Sequence, residues 1–116
     1  MKKKPNKRNK WIASWSYNDY GGCADYDNFG PFSSCEDAFS KLKKAIVDQL
    51  NDVIKHEPHA LVNGLHIKKS DIGRIANNYI HRLKVDIKHS KASINISIYD
   101  EDVDGEYTFE IEKIKS

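Results

Sequence analysis

Between Ser33 and Pro58 the chain carries one uninterrupted amphipathic period, and this feature constrains the fold more than any other. Ala38, Phe39, Leu42, Ala45, Ile46, Leu50, Val53 and Ile54 recur at three- and four-residue spacing. Lys41, Lys43, Lys44, Asp48, Asn51, Asp52 and Lys55 fill the positions between them. The pattern predicts a helix of roughly 22 residues, about 33 Å long at the usual rise per residue. Ser33 is the expected cap, with Glu36 three residues on completing a capping box. Pro58 stops the helix, because its ring removes a backbone donor and clashes with the preceding turn. A helix of this kind buries one stripe, so the rest of the chain must supply an apolar face to receive it.

That face is written in a different period at both ends of the chain. Trp11, Ala13, Trp15 and Tyr17 alternate with Ile12, Ser14 and Ser16, which predicts a strand with an aromatic face. The turn-rich run 18–22 leads into a second strand through Cys23 to Phe29, closed by Gly30-Pro31. In the C-terminal third, three more strands are expected: Leu83, Val85 and Ile87, then Ile94, Ile96 and Ile98, then Tyr107, Phe109 and Ile111. Asp104-Gly105 is the expected turn of the last hairpin. A two-residue turn there pairs Ile98 with Ile111, a four-residue turn pairs Ile98 with Phe109, and either register keeps these apolar side chains on one face.

Ser70 is placed to cap a shorter helix carrying Ile72, Ile75, Ala76, Tyr79, Ile80 and Leu83, and Ala60-Leu61-Val62 before Gly64 reads as a helical turn. The expected fold class is therefore α+β: an antiparallel sheet of about five strands, two N-terminal and three C-terminal, with the long helix and the shorter one packed on one face. With 116 residues there is material for one core. Residues 1–10 read as a basic flexible tail and 11–116 as a single domain.

Hydrophobic residues make up 39% of the chain, enough to favour folding over disorder despite 31% charged residues. No run of about 18 apolar residues is present, and the basic start leads into no hydrophobic signal core, so a cytoplasmic protein with no membrane partner is expected. Cys23 and Cys35 are then expected to stay reduced.

The net charge of +2 conceals a strong segregation. Residues 1–10 contain Lys2, Lys3, Lys4, Lys7, Arg8 and Lys10 without an acid. Residues 100–112 contain Asp100, Glu101, Asp102, Asp104, Glu106, Glu110 and Glu112 without a base. Segregation of this kind steers partners of opposite sign to different parts of a molecule.

Motifs that carry chemistry are few. Asp100-x-Asp102-x-Asp104-Gly105 matches the opening of an EF-hand calcium loop, but the twelfth position is Ile111 instead of glutamate and the flanks read as strands. A solvated hairpin tip accounts for the same residues, and calcium at Asp100, Asp102 and Asp104 is the lesser reading. His56, His59, His66, His81 and His89 lack the paired spacing of a zinc site and read as solvated or helix-capping side chains. No nucleophile elbow or phosphate-cradling glycine loop occurs, so neither catalytic residues nor a cofactor are assigned and a non-enzymatic role is expected. Ala60, Gly64, Ile72 and Ile75 loosely suggest a helix-turn-helix, with a gap too long for that motif.

The expected function is therefore stoichiometric occupation of a protein partner, nucleic-acid-binding host proteins among the candidates. The acidic hairpin (Asp100, Glu101, Asp102, Asp104, Glu106) supplies charge, and the loop tyrosines Tyr20 and Tyr26 supply anchors. In size, charge segregation and lack of a catalytic motif the chain resembles the small inhibitors that phages encode against bacterial defence systems, anti-CRISPR proteins included. No motif carries that resemblance, so it assigns no residue a role. The alternative is a DNA- or RNA-binding module that uses Lys2, Lys3, Lys4, Lys7 and Arg8 of the tail. Its second surface would be 68–91, where Lys68, Lys69, Arg74 and Arg82 stand out.

Overall fold

The computed structural model describes residues 9–19, 24–87, 90–101 and 103–115. Along the chain these form β1 (Asn9–Asp19), β2 (Ala24–Phe32), α1 (Cys35–His56), β3 (Leu61–Val62), a 3-10 turn (Lys69–Asp71), α2 (Ile72–Asp86), β4 (Lys91–Tyr99) and β5 (Asp104–Lys115). The strands make one antiparallel sheet in the order β2-β1-β5-β4-β3. The expected α+β architecture is observed, with both helices packed on one face of the sheet. β1 begins at Asn9, two residues before the alternation at Trp11.

Alternation decides which side of each strand is buried. Ala13 and Trp15 of β1, Tyr107, Phe109 and Ile111 of β5, and Ala92, Ile94, Ile96 and Ile98 of β4 face the helices. They meet Ala38, Phe39, Leu42, Ala45, Ile46 and Leu50 of α1, and Ile72, Ala76, Tyr79, Ile80 and Leu83 of α2. The layer joining sheet to helix is aromatic where β1 and β5 pair: the Tyr107 ring lies 4.6 Å from Tyr17, 5.9 Å from Trp15 and 5.6 Å from Phe109, centroid to centroid. The Tyr107 hydroxyl donates to Gln49 Oε1 at 2.9 Å, so the polar end of the cluster is bonded where it enters the core. Burial, followed by the nearby Tyr17, Asp52 and Asp25, pushes its ionisation well above the ordinary tyrosine value.

The long helix spans the 22 residues expected, but its cap is Ser34, not Ser33: the Ser34 hydroxyl accepts the Asp37 N–H at 3.1 Å. Ser33 and Ser34 are equivalent cap chemistries, and Ser34 is the one whose hydroxyl meets the first turn. At the second helix Ser70 makes no cap. The 3-10 turn precedes α2, and Asp71 Oδ2 accepts the Lys68 N–H at 3.1 Å.

Two element assignments are overturned as well. Residues 83–86, read as part of a strand, complete α2: Leu83 satisfies the helical stripe of Ala76, Tyr79 and Ile80, and Val85, which the strand reading would bury, stands exposed. The third C-terminal strand comes instead from Leu61–Val62, read from sequence as a helical turn, which pairs with Tyr99 and Ile98. Asn63 (φ 50°) and Gly64 (φ 82°) turn the chain there. Asn63 is also the clamp of this corner. Its N–H reaches the Ser97 carbonyl at 2.8 Å, its Oδ1 accepts the Ser97 N–H at 2.8 Å, and its Nδ2 donates to the Tyr79 hydroxyl at 2.7 Å. With a strand at 61–62, the helix-turn-helix suggestion also lapses.

The β4–β5 hairpin differs from both expected registers. Asp100 and Val103 close the turn through reciprocal backbone bonds of 2.7 and 3.3 Å, and Ile98 pairs with Gly105. The shift from the expected pairings is an even number of residues, which is why the buried face is nonetheless the expected one. Gly105 is thus a strand residue. A Cβ there would collide with the Tyr17 hydroxyl and come within 2.9 Å of the Asn18 carbonyl oxygen. The glycine is required by close approach, not by a turn.

Candidate interaction face

The residues that alternate away from the core make the helix-free face of the sheet. Down β5 this face carries Asp104, Glu106, Thr108, Glu110 and Glu112, with successive positions about 6.8 Å apart along an extended strand. β1 contributes Ser14, Ser16 and Asn18 beside them, and β4 contributes Lys91, Ser93, Asn95 and Ser97 on the other side. A column of carboxylates therefore runs through a field of small hydroxyl and amide groups, drawn together in places by bonds such as Thr108 Oγ1 to Asn95 Oδ1 at 2.9 Å. Lys91 is a cation inside this field, and its ammonium lies 3.5 Å from Glu110.

Further acids lie at the hairpin tip. Asp100 is half-buried, with Oδ1 accepting the Glu101 N–H at 2.7 Å, while Glu101 and Asp104 are exposed and Glu106 half-buried. Among the described residues, no lysine or arginine lies within ion-pair distance of Asp100, Glu101, Asp104 or Glu106. The expected acidic surface is thus assembled from a turn and a strand. Asp104 belongs to β5, opposite Tyr99, and so lies in a strand where a calcium loop would hold it in the turn. Asp102 lies outside the described residues.

Two tyrosines flank the column. Tyr26, singled out from sequence, is 73% exposed and shares a row with Ser16 and Thr108 across the sheet. Tyr20 lies outside the described residues. Tyr99, which the sequence reading passed over, is 55% exposed at the opposite side. It lines a hollow of about 180 Å³ with His59, Leu61, His66, Asp100 and Glu101. The signal that identifies Tyr99 is its odd position in the β4 alternation, and the approach of His59 and His66 to it depends on β3, which the sequence did not reveal.

The basic candidates lie on the helical side of the molecule. Lys68 precedes the 3-10 turn, Lys69 opens it, and Arg74 and Arg82 project from the exposed surface of α2. Arg74 is held 3.3 Å from Asp71, whose carboxyl sits below its ordinary range chiefly because it accepts the Lys68 N–H and then because of Arg74 itself. Lys2, Lys3, Lys4, Lys7 and Arg8 lie outside the described residues. Burial, with Glu36 adding to it, raises the Cys35 thiol above its ordinary value, a setting that suits an inert side chain. No described helix is long and apolar enough to cross a membrane.

Comparison with protein-family models, with curated proteins and with solved structures finds no match for this chain.

Proposed function

We propose that this is a non-enzymatic binding protein that acts by occupying a protein partner through its acidic sheet face. The observation that carries the reading is the set Asp100, Glu101, Asp104 and Glu106 on the β4–β5 hairpin, left without a cationic partner among the described residues. Carboxylates held in a row present a repeating negative charge to a basic groove and need no rearrangement to do so, which favours fast association and specificity. The surrounding Ser, Asn and Thr side chains, with Tyr26 and Tyr99 as exposed aromatic anchors, match the composition of adaptable protein-binding surfaces. A partner that ordinarily holds nucleic acid fits this chemistry best. The most specific form of the reading is a phage-type, anti-CRISPR-like inhibitor of a bacterial defence system, which works in the cytoplasm.

The test is affinity capture from bacterial lysate with and without nuclease, repeated with a variant carrying Asp100→Asn, Asp104→Asn and Glu106→Gln. Capture of a nucleic-acid-binding protein that survives nuclease, is competed by added DNA and is lost with the variant supports the reading. Equal capture by the variant refutes it.

A second reading, direct nucleic-acid binding, is favoured by the outward surface of α2. From Ile72 to Val85 it presents Arg74, Asn77, Asn78, His81 and Arg82 with no carboxylate in the interval. It requires affinity for free DNA or RNA that falls steeply with salt and weakens when Arg74 and Arg82 become alanine.

A further inference from the structure

The two edges of the sheet are treated differently. On β2 the carboxylates of Asp25 and Asp27 each fold back onto the next N–H, Tyr26 and Asn28, at 2.9 Å. Pro31 has no N–H to offer, and the β1–β2 register is broken between Trp11 and Ala13. That edge is closed to a further strand. On β4 the opposite holds. The bonded pair Asp100/Val103 and the Lys113 N–H to Ser90 carbonyl bond (2.6 Å) fix the parity of the ladder: even residues of β4 bond to β5 and odd residues point outward. Ser97, outward by that parity, is sealed by Asn63, and Tyr99 is paired by β3. Lys91, Ser93 and Asn95 remain, with outward N–H and C=O groups that no described residue meets, and with no proline or acid along the stretch.

We propose that this open edge is the contact between two copies of the chain. In the contact, β4 pairs antiparallel with β4 of its twin across a two-fold axis at Ser93, and the two five-stranded sheets become one. This pairing sets Ser93 against Ser93, Lys91 against Asn95 of the other copy, and Ala92 against Ile94 on the core side, so the apolar row continues without a like-charge pair.

The helix above supplies the charge complementarity. Lys84 reaches across to Glu36 of α1 at 3.4 Å, which defines the flank of α2 that faces α1. Arg82 and Asp86, each about 160° around the helix from Lys84, therefore lie on the opposite flank, toward the open edge. The same side of α2 sends Tyr79 to Asn63 beside β3. Arg82 and Asp86 are exposed, and neither is in an ion pair among the described residues. The two-fold at Ser93 also runs α2 antiparallel to its copy, so a flank carrying both Arg82 and Asp86 turns toward the same flank of the other copy, a patch with charges of both signs.

The experiment combines sedimentation equilibrium with amide hydrogen exchange over a concentration series reaching about 1 mM. The expected result is a mass that rises toward the dimer, together with at least about tenfold slower exchange at Ser93 and Asn95 as it does so. Ser93→Pro removes no bond within the chain and is expected to move the dimer midpoint at least about tenfold higher in concentration. Should that variant fold poorly by circular dichroism, Arg82→Glu is expected to weaken the dimer and Arg82→Glu with Asp86→Arg to restore it. A chain that stays monomeric with unprotected Ser93 and Asn95 overturns the proposal. So does a dimer that leaves those amides exchanging freely, or protection that appears only when an extended peptide from another protein is added.

Discussion

Substituting Gly105 separates the observed β4–β5 hairpin from the one its Asp-Gly dipeptide suggests. A Cβ at this position meets the Tyr17 hydroxyl, approaches the Tyr17 Cζ to 2.6 Å and lies 2.9 Å from the Asn18 carbonyl oxygen. Overpacking of this kind costs about 1–3 kcal/mol. Alanine also removes backbone freedom from the unfolded chain, which returns about 0.5–1 kcal/mol. Gly105→Ala is therefore expected to destabilise the fold by about 1–2 kcal/mol, or about 4–8 °C in Tm for a domain of this size. A turn glycine would also resist alanine, so the single variant does not discriminate. The double-mutant cycle with Tyr17→Ala does, because it removes two of the three contacts and leaves the Asn18 carbonyl in place. Urea unfolding followed by tryptophan fluorescence is expected to give a favourable coupling of about 1 kcal/mol between the two sites. Additivity within about 0.5 kcal/mol would mean that Gly105 does not lie under Tyr17, and the placement of Asp104 and Glu106 on the sheet face would fall with it.

Ser34→Ala is expected to lose about 1 kcal/mol with the bond to the Asp37 N–H, whereas Ser33→Ala stays within about 0.5 kcal/mol of the parent in the same denaturation assay. Tyr107 makes stability depend on alkaline pH. Burial raises its folded-state ionisation, so its contribution is complete below the unfolded value near 10 and declines as the pH climbs through and beyond it. Tyr107→Phe is expected to cost about 1 kcal/mol at neutral pH, through loss of the bond to Gln49, and to flatten the decline in stability measured from pH 9.5 to 11.5.

The element types were largely legible because two periods alternate along the chain. A 22-residue stripe cannot be a strand, and Ile94, Ile96 and Ile98 set against Tyr107, Phe109 and Ile111 cannot bury a helical face. What local pattern left undecided was the choice between competing local solutions of similar energy. Leu83-x-Val85-x-Ile87 suits a strand as well as a helix end, and the α2 stripe already packed on β4 settled it. Leu61–Val62 is too short to carry any period and becomes a strand because Asn63 fastens it to Ser97 and Tyr79.

The same division runs through the candidate site. The sequence by itself determined that the acids of residues 100–112 would be concentrated and that those on β5 would share one side of a strand, because side chains alternate with period two whatever the register. Tertiary structure alone decided that Tyr99 stands beside His59 and His66, and that Asp104 lies in a strand instead of a turn. It also decided that β2 ends with its edge closed and β4 with its edge open. Parity is a property of one chain segment, but a hydrogen-bonding edge, a hollow and an exposed face exist only once segments distant in sequence have taken fixed places beside one another.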